Sequence, residues 1–466
     1  MKKLKYFLSF AVMTVMMVMS VSCSNEESES VTPPTNEKAP KYATMQFNSS
    51  KPSFEDEGTT RAATGSWANG SKVYLQFKDA TAPTYGIATY NSSSSEWSII
   101  YYGTLASTND GKCEAYFFEN AGEESYIEIA LTASTIIYAD KSATYTFEDN
   151  ALTVTANLKP MTGRIRFKGA ANSESYMEGG LKYYNSYNFT SNTFSSSNLY
   201  YSVSTVNKDG YTDYLYCFFP EDAEKQIVFN DKEQNVSFYR TLGSSALAVG
   251  KSGYLNIPTM ENSKGWNLLR FRDYTVGNVT FRMMRVVGDG VTEGQPRSFM
   301  IGETEVTQAL WKAVMNANPS SVQGDDLPVT DVTWDNCKEF INKLNTKTGA
   351  NFYFPNRGQW QWAAKGGNLS KNYTYSGSNT VGDVAWYSGN SNSTIHPVKT
   401  KQSNEIGLYD MSGNVSEFTC TYYSSSNVSF YYCGGGYNNN SDNVRWNSSS
   451  YSNSAANSKG LRLFSY

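Results

Sequence analysis

Histidine is almost missing from this chain of 466 residues: His396 is the single one. That excludes a multi-histidine metal centre and any catalytic scheme that needs two imidazoles. Cysteine is scarce and unpatterned. Beyond Cys23 the five others (Cys113, Cys217, Cys337, Cys420 and Cys433) are odd in number and show no CxxC spacing, so neither a disulfide framework nor a zinc site is indicated. No basic stretch stands out beyond the first residues and the formal net charge is −4, which removes nucleic acid as an expected partner. The apolar run Tyr6 to Met19 is too short to span a bilayer comfortably as a helix.

What that run does fit is a targeting segment. Lys2, Lys3 and Lys5 form a basic lead-in, and residues 1–22 read as a signal peptide. The following Ser20-Val21-Ser22-Cys23 resembles a bacterial lipoprotein cleavage site, which implies lipidation of Cys23 and a lipid anchor in the outer membrane. An ordinary secretory signal is the alternative. Residues 23–40, rich in Ser, Thr, Pro and Glu, read as a disordered tether. Their opening Ser24-Asn25-Glu26-Glu27 resembles an export signal for outward-facing lipoproteins, which implies exposure at the cell surface. A solvated linker on a periplasm-facing lipoprotein is the alternative.

From residue 41 to 262 apolar and polar residues alternate, as in Lys72 to Phe77, Tyr126 to Leu131 and Arg164 to Phe167. Period-two patterning of β-branched and aromatic residues argues for half-buried strands. Asn69-Gly70, Asn109-Asp110-Gly111 and Asp209-Gly210 read as turns. The natural packing is two β-sandwiches, 41–160 and 161–262, joined near Leu158-Lys159-Pro160. Thr60-Arg61-Ala62, Trp67 to Val73 and Leu158 to Ile165 resemble segments of the fimbrillin family of pilin-like lipoproteins. The resemblance implies a surface stalk or a subunit of a pilus-like assembly.

After Trp266 the pattern changes, and a last domain is expected over 266–466. A helix is expected from Glu305-Val306-Thr307 through Met315. A second begins at Thr333, a suitable N-cap, with Trp334, Cys337, Phe340, Ile341 and Leu344 on one apolar stripe. On that stripe Cys337 reads as a small core residue rather than a nucleophile. Motifs then follow in order: Phe299 to Thr307, Leu327-Pro328-Val329, Phe354 to Ala364, Val384 to Tyr387, Gly407 to Phe418, and Gly460 to Leu463. Together they are similar to the formylglycine-generating-enzyme and sulfatase-modifying-factor family. The resemblance implies a variant C-type-lectin fold with two helices, little regular strand and long loops. The fold class expected is therefore multidomain: all-β sandwiches followed by an α+β C-type-lectin-like domain.

The departures from that family bear on function. Its catalytic members carry a pair of copper-binding cysteines between a Gly-Gly and the closing Gly-Phe-Arg, and no cysteine lies between Gly436 and Gly460 here. Thiolate chemistry on a soft metal needs thiolates, so no copper is expected, no catalytic residue is assigned and the domain reads as non-enzymatic. The family resemblance also implies a structural calcium ion held by the carboxylates of Asp410 and Glu417 and the carbonyls of Gly413 and Val415. Capping and hydrogen bonding of the loop by the same two carboxylates is the alternative.

The stretch from Tyr422 to Lys459 is about two-thirds Asn, Ser and Tyr. Randomising the two adenines of an Asn codon yields many residues but never Lys, Glu, Gln, Met or Trp. Between Phe418 and Ser458 only Trp446 lies outside that set. The pattern resembles the variable region of a target protein of a diversity-generating retroelement, here about 418–458. Gly434, Gly435, Arg445, Trp446 and Gly460 to Leu463 would be scaffold. Tyr422, Tyr423, Tyr431, Tyr432, Tyr437, Asn438, Asn439, Asn440, Asp442, Asn443, Asn447, Ser449, Ser450 and Tyr451 would contact ligand. Tyr offers rigid amphipathic area at low entropy cost, and Ser and Asn offer adaptable hydrogen bonds. A fixed binding surface and an inert Ser/Asn-rich loop are the other readings. The function expected is a surface lipoprotein that binds an external protein, glycan, or phage or cell-surface component. A fimbrial tip or stalk subunit with a fixed adhesin domain is the second reading, and a residual oxidase the third.

Overall fold

In a computed structural model of the protein, the described residues are 40–49, 66–78, 84–105, 108–122, 124–125, 128–169, 175–199, 201–202, 210–221, 225–243, 247–288, 297–424, 429–452 and 458–466. The signal peptide, Cys23, the tether and Thr60-Arg61-Ala62 lie outside them. Pro40–Tyr466 forms one compact unit.

The strand Lys41–Asn48 shows why the first region folds as it does. Ala43, Met45 and Phe47 alternate with exposed neighbours and reach the core, so one face of the strand is buried. It lies antiparallel to Glu96–Tyr102 on one side and parallel to Ala151–Thr155 on the other. The long strands Thr108–Glu119 and Ile136–Glu148 pair with each other and join the edges of the sandwich, leaving few open backbone edges. Asn109-Asp110-Gly111, expected as a turn, lies inside the first of these strands. A register shift between Thr108 and Gly111 absorbs it as a bulge. A Cβ at Gly111 would sit 2.3 Å from the Tyr145 ring, so the glycine serves close packing there instead of a turn. At Asn69-Gly70 the expected turn is present, with Gly70 at φ +80°.

Next, Gly163–Lys168 lies between Leu215–Cys217 and Ser252–Asn256, facing a five-stranded sheet that ends in Asn267–Leu269. Ile165, Phe167, Leu215, Ile227, Phe229 and Phe238 fill the space between. Pairing crosses residue 160: Glu128–Ala130 hydrogen-bonds to Lys182–Asn188, and Tyr187 and Phe189 pack on Tyr74 and Phe118. The second sandwich meets the last domain through buried polar contacts. Asn235 donates to the Arg285 carbonyl (3.0 Å), its Oδ1 accepts from Val287 N (2.9 Å), and Arg285 Nε donates to Ser237 Oγ (2.8 Å).

The last domain has two small sheets and three main helices. One sheet runs Phe271–Val276, Val279–Val286, Phe299–Gly302 and Phe464–Ser465, so the last strand of this domain is stitched to its first strands. The other runs Ser449–Ser452, Ser429–Cys433, Ser416–Ser424 and Lys459–Gly460. Helix α1 (Gln308–Met315) is capped by Thr307, and α2 (Trp334–Thr348) by Thr333 in a reciprocal capping box with Asn336. The expected stripe of Cys337, Phe340, Ile341 and Leu344 is buried, and Trp311 stacks on Phe340 at 4.7 Å. A third helix, α3 (Arg357–Ala364), exceeds the two expected. Its signal was present in Asn356 and Gln359, which cap each other, but an eight-residue helix shows little periodicity.

Candidate functional site

The core of the last domain contains a polar cluster that only tertiary folding could assemble. Glu305, just before α1, Asp410 and Glu417, from the Gly407 to Phe418 motif, and Arg462, beside the last strand, are each 2% exposed or less. Arg462 Nε donates to both oxygens of Glu417 (2.9 Å each) and Nη2 to Oε1 (2.7 Å). The rest of the guanidinium donates to the carbonyls of Gly302 and Tyr409, both at 2.8 Å. Trp360 of α3 donates to Glu417 Oε2 at 2.5 Å. Glu305 accepts from Asn414 Nδ2 (2.9 Å) and Val415 N (3.0 Å). The loop is thereby fixed by charge-assisted bonds from three distant parts of the chain.

Three carboxyls against one guanidinium cannot all stay ionised in so dry a place. Burial first, and then the charges of Asp410 and Glu417, push the Glu305 carboxyl well above the carboxylate range. Burial raises Asp410 to about 6, against the hydrogen bond its Oδ2 accepts from Lys399 N (2.7 Å). Asp410 Oδ1 is buried without a partner.

Of the two carboxylates expected to hold calcium, Asp410 keeps Oδ1 without a protein partner and Glu417 keeps no such oxygen. Both oxygens of Glu417 are committed to Arg462 and Trp360, and the nearest positive charge is the guanidinium itself. Val415 contributes its N–H to Glu305. Gly413 stands at φ +81° where a Cβ would come 2.2 Å from the Trp386 carbonyl, so its place is set by packing. Among the described residues no group of three or more His, Cys, Asp or Glu side chains is disposed to hold a metal ion. Glu305 and Arg462 were not among the expected site residues. Their only signal was membership of two motifs in the right order.

The Asn/Ser/Tyr-rich stretch is built on this frame. Strand Ser416–Ser424 pairs with Ser429–Cys433, which pairs with Ser449–Ser452, and Lys459–Gly460 returns beside Ser416 and Glu417. Directly opposed residues of an antiparallel pair share a face. Tyr431 therefore stands with Tyr451, ring centroids 6.4 Å apart, and the Arg357 guanidinium covers Tyr431 at 4.6 Å. Tyr432 stands with Ser450 on the opposite face, under the Lys459 ammonium at 4.9 Å. Phe430, on the same face of the strand as Tyr432, points inward, 3% exposed, and stacks on Trp334 at 4.0 Å. Tyr451 is 47% exposed, and Asn438, Asn440, Asp442, Asn443, Asn447, Ser449 and Ser450 are exposed as well.

Several expected contact residues have other duties. Tyr437 is buried against Ile395 and Val415, because its N–H bonds the Asn414 carbonyl (2.7 Å) and draws it under the loop. It is a core residue, not a contact. Asn439 Oδ1 accepts from Gly436 N (2.8 Å), and Asn440 Oδ1 accepts from Asn443 N (3.1 Å), so both shape turns. Gln361 donates to the Asn447 carbonyl, and Asp442 pairs with the exposed Arg445. Arg445, expected as scaffold, is thus at the surface, whereas Trp446 is half-buried and donates to the Tyr373 carbonyl. Tyr422 and Tyr423 belong to the strand Ser416–Ser424, but their side chains lie outside the described ones.

The remaining reactive groups are quiet. Burial pushes the thiols of Cys337 and Cys433 up, away from thiolate, and the Cys420 thiol is raised for the same reason. His396 stacks on Trp386 at 3.7 Å and bonds the Ser391 carbonyl, a scaffold setting.

Residues 272–465 match the sulfatase-modifying factor enzyme 1-like domain. The C-terminal region is of that kind. The chain is 34% identical to Chaperone protein LppX of Paenibacillus barcinonensis, covering 27% of this chain and 63% of that protein. It therefore spans less than two-thirds of that relative. Among solved structures it is similar to Treponema denticola variable protein 1, at 26% identity and a TM-score of 0.38, covering 42% of this chain and 98% of that one. It is also similar to the fimbrial anchor protein Mfa2 from Porphyromonas gingivalis, at 14% identity and a TM-score of 0.29, covering 52% and 99%. No described helix is long and apolar enough to cross a membrane.

Proposed function

We propose that this chain is a surface-displayed lipoprotein that binds an external ligand through a diversified, non-catalytic lectin-like domain. One observation carries the reading. The exposed Asn, Ser and Tyr side chains, Tyr451 and Ser449 to Ser450 foremost, sit on a sheet whose other residues are locked inward by Phe430, Glu417 and Arg462. Such a sheet tolerates change at its outward positions without loss of fold, which is what a diversified surface requires. Lipid attachment at Cys23 and display outside the outer membrane belong to the same proposal, with the β-sandwiches as the stalk. Chemistry on a thiolate is disfavoured at Cys337 and Cys433, whose burial pushes their thiols up, away from thiolate.

Sequencing of sibling isolates tests the reading. Substitutions should be confined to adenine-derived codons between Tyr422 and Ser458 and should spare Phe430 and the codons for Gly434 and Gly435. Identity across that stretch in many isolates would turn the reading to a fixed adhesin.

A further inference from the structure

The strand Phe271–Val276 is an open edge of its sheet. Val279–Val286 pairs with it on one side, and among the described residues no strand pairs with it on the other. Alternation decides which of its main-chain groups are left over. Arg285 N donates to the Arg270 carbonyl (2.7 Å), so the even-numbered residues bond across to Val279–Val286 and the odd-numbered ones turn outward. Among the described residues nothing bonds the main-chain N–H and C=O of Asp273 and Thr275. Natural edges are commonly blunted by lysine, proline or a bulge. This strand has no lysine or proline, its register is unbroken, and Phe271 stands on it 44% exposed.

The side chains add a charge pattern. Asp273 is countered within the sheet by Arg282, which donates to its two oxygens at 2.7 and 2.8 Å and lies 3.7 Å over the Phe271 ring. Arg270 and Arg272 are exposed and have no ion pair among the described residues. Their even numbers put both on one face of the edge, with Phe271 on the other. A complementary strand would therefore carry acids on one face and apolar residues on the other. All of these residues lie outside 418–458, so diversification of that stretch would leave the edge unchanged.

We infer that Phe271–Val276 receives an extended segment of a partner protein as an added strand, one in which acidic and apolar residues alternate. Main-chain pairing supplies the affinity, and Arg270 and Arg272 select the acids. A second copy of this chain suits the edge less well, because it would bring the same arginines, and like charges across a strand pair destabilise it. The partner is distinct from the external ligand proposed above, so the two readings stand or fall separately.

Fluorescence anisotropy of the full chain tests it, with a labelled, end-blocked Gly-Glu-Val-Glu-Val-Glu-Gly peptide and its counterpart carrying Lys for Glu. Saturable binding of the acidic peptide is expected, about fivefold weaker for the lysine peptide and for the doubly substituted Arg270→Ala, Arg272→Ala chain. Thr275→Pro removes an outward N–H and spares the bonds to Val279–Val286, so it should abolish binding with little change in the thermal melt. If that variant unfolds, amide exchange in the parent chain decides, since the acidic peptide should slow exchange at Asp273 and Thr275. No saturable binding, equal binding of the two peptides, or unslowed exchange at those amides would overturn the inference. A dimer of the parent chain in sedimentation that Thr275→Pro dissolves would overturn it in favour of a second copy.

Discussion

Glu417 and Tyr431 lie on adjacent strands of one sheet, yet they live in opposite worlds. The Glu417 end is fully buried, with a guanidinium and an indole both hydrogen-bonded to one carboxylate. At the Tyr431 end, aromatic and hydroxyl side chains face outward beside Arg357. The lesson is one of division. Polar groups at the closed end fix the backbone, so side chains at the open end carry a smaller share of the fold.

Breaking the closed end should have the largest effect. Arg462→Met leaves Glu417 buried without its cation and should cost about 3–5 kcal/mol in urea unfolding, a loss typical of a broken buried pair. A cost below about 1 kcal/mol would show that the pair does not organise the loop. A smaller effect, of opposite sign, is expected at Asp410. The folded chain holds its proton more tightly than the unfolded chain, so stability falls as pH rises from about 4 to about 6, and the penalty is complete above that. Asp410→Asn removes the charge, suits the residue's φ of +56°, and keeps an oxygen to accept from Lys399 N. It should raise stability at pH 7 by about 1–3 kcal/mol and flatten the decline between those pH values. Calcium should leave the melting temperature of the parent chain unchanged; a rise would show that the carboxyls are metal-bound and reverse the sign expected for Asp410→Asn.

The open end should respond least. Tyr431→Ala forfeits its contact with Arg357 and should cost about 0.5–1 kcal/mol. Tyr451→Ala should move stability by no more than about 0.5 kcal/mol. Selection for any bound ligand should nonetheless discriminate strongly against both. If thermal melts showed Tyr451→Ala to be as damaging as Arg462→Met, the division between frame and display would fail.

Local pattern made much of the architecture legible. Lys72–Phe77 reads as a strand because its residues alternate, although neighbours cover both its faces and not one, and Thr333 reads as an N-cap because a hydroxyl followed by an apolar stripe satisfies the first amides of a helix. The same reasoning failed at Asn109-Asp110-Gly111, where strand pairing on both sides outweighed turn propensity and turned the residues into a bulge. It also failed at Tyr437, for composition places tyrosine in a displayed stretch but cannot say which way a loop turns it.

By itself the sequence determined what must be inside, through period-two strands, capped helices and ordered motifs, and it marked a stretch limited to residues that altered Asn codons encode. Only tertiary structure decided which of those residues meet. Glu305 and Arg462 are more than 150 positions apart and share one buried cluster. That shared burial sets the Glu417 carboxylate against the guanidinium. Tyr431 and Tyr432, adjacent in sequence and equal in composition, are sent to opposite faces by the pleat of a strand, one toward Arg357 and the other beneath Lys459.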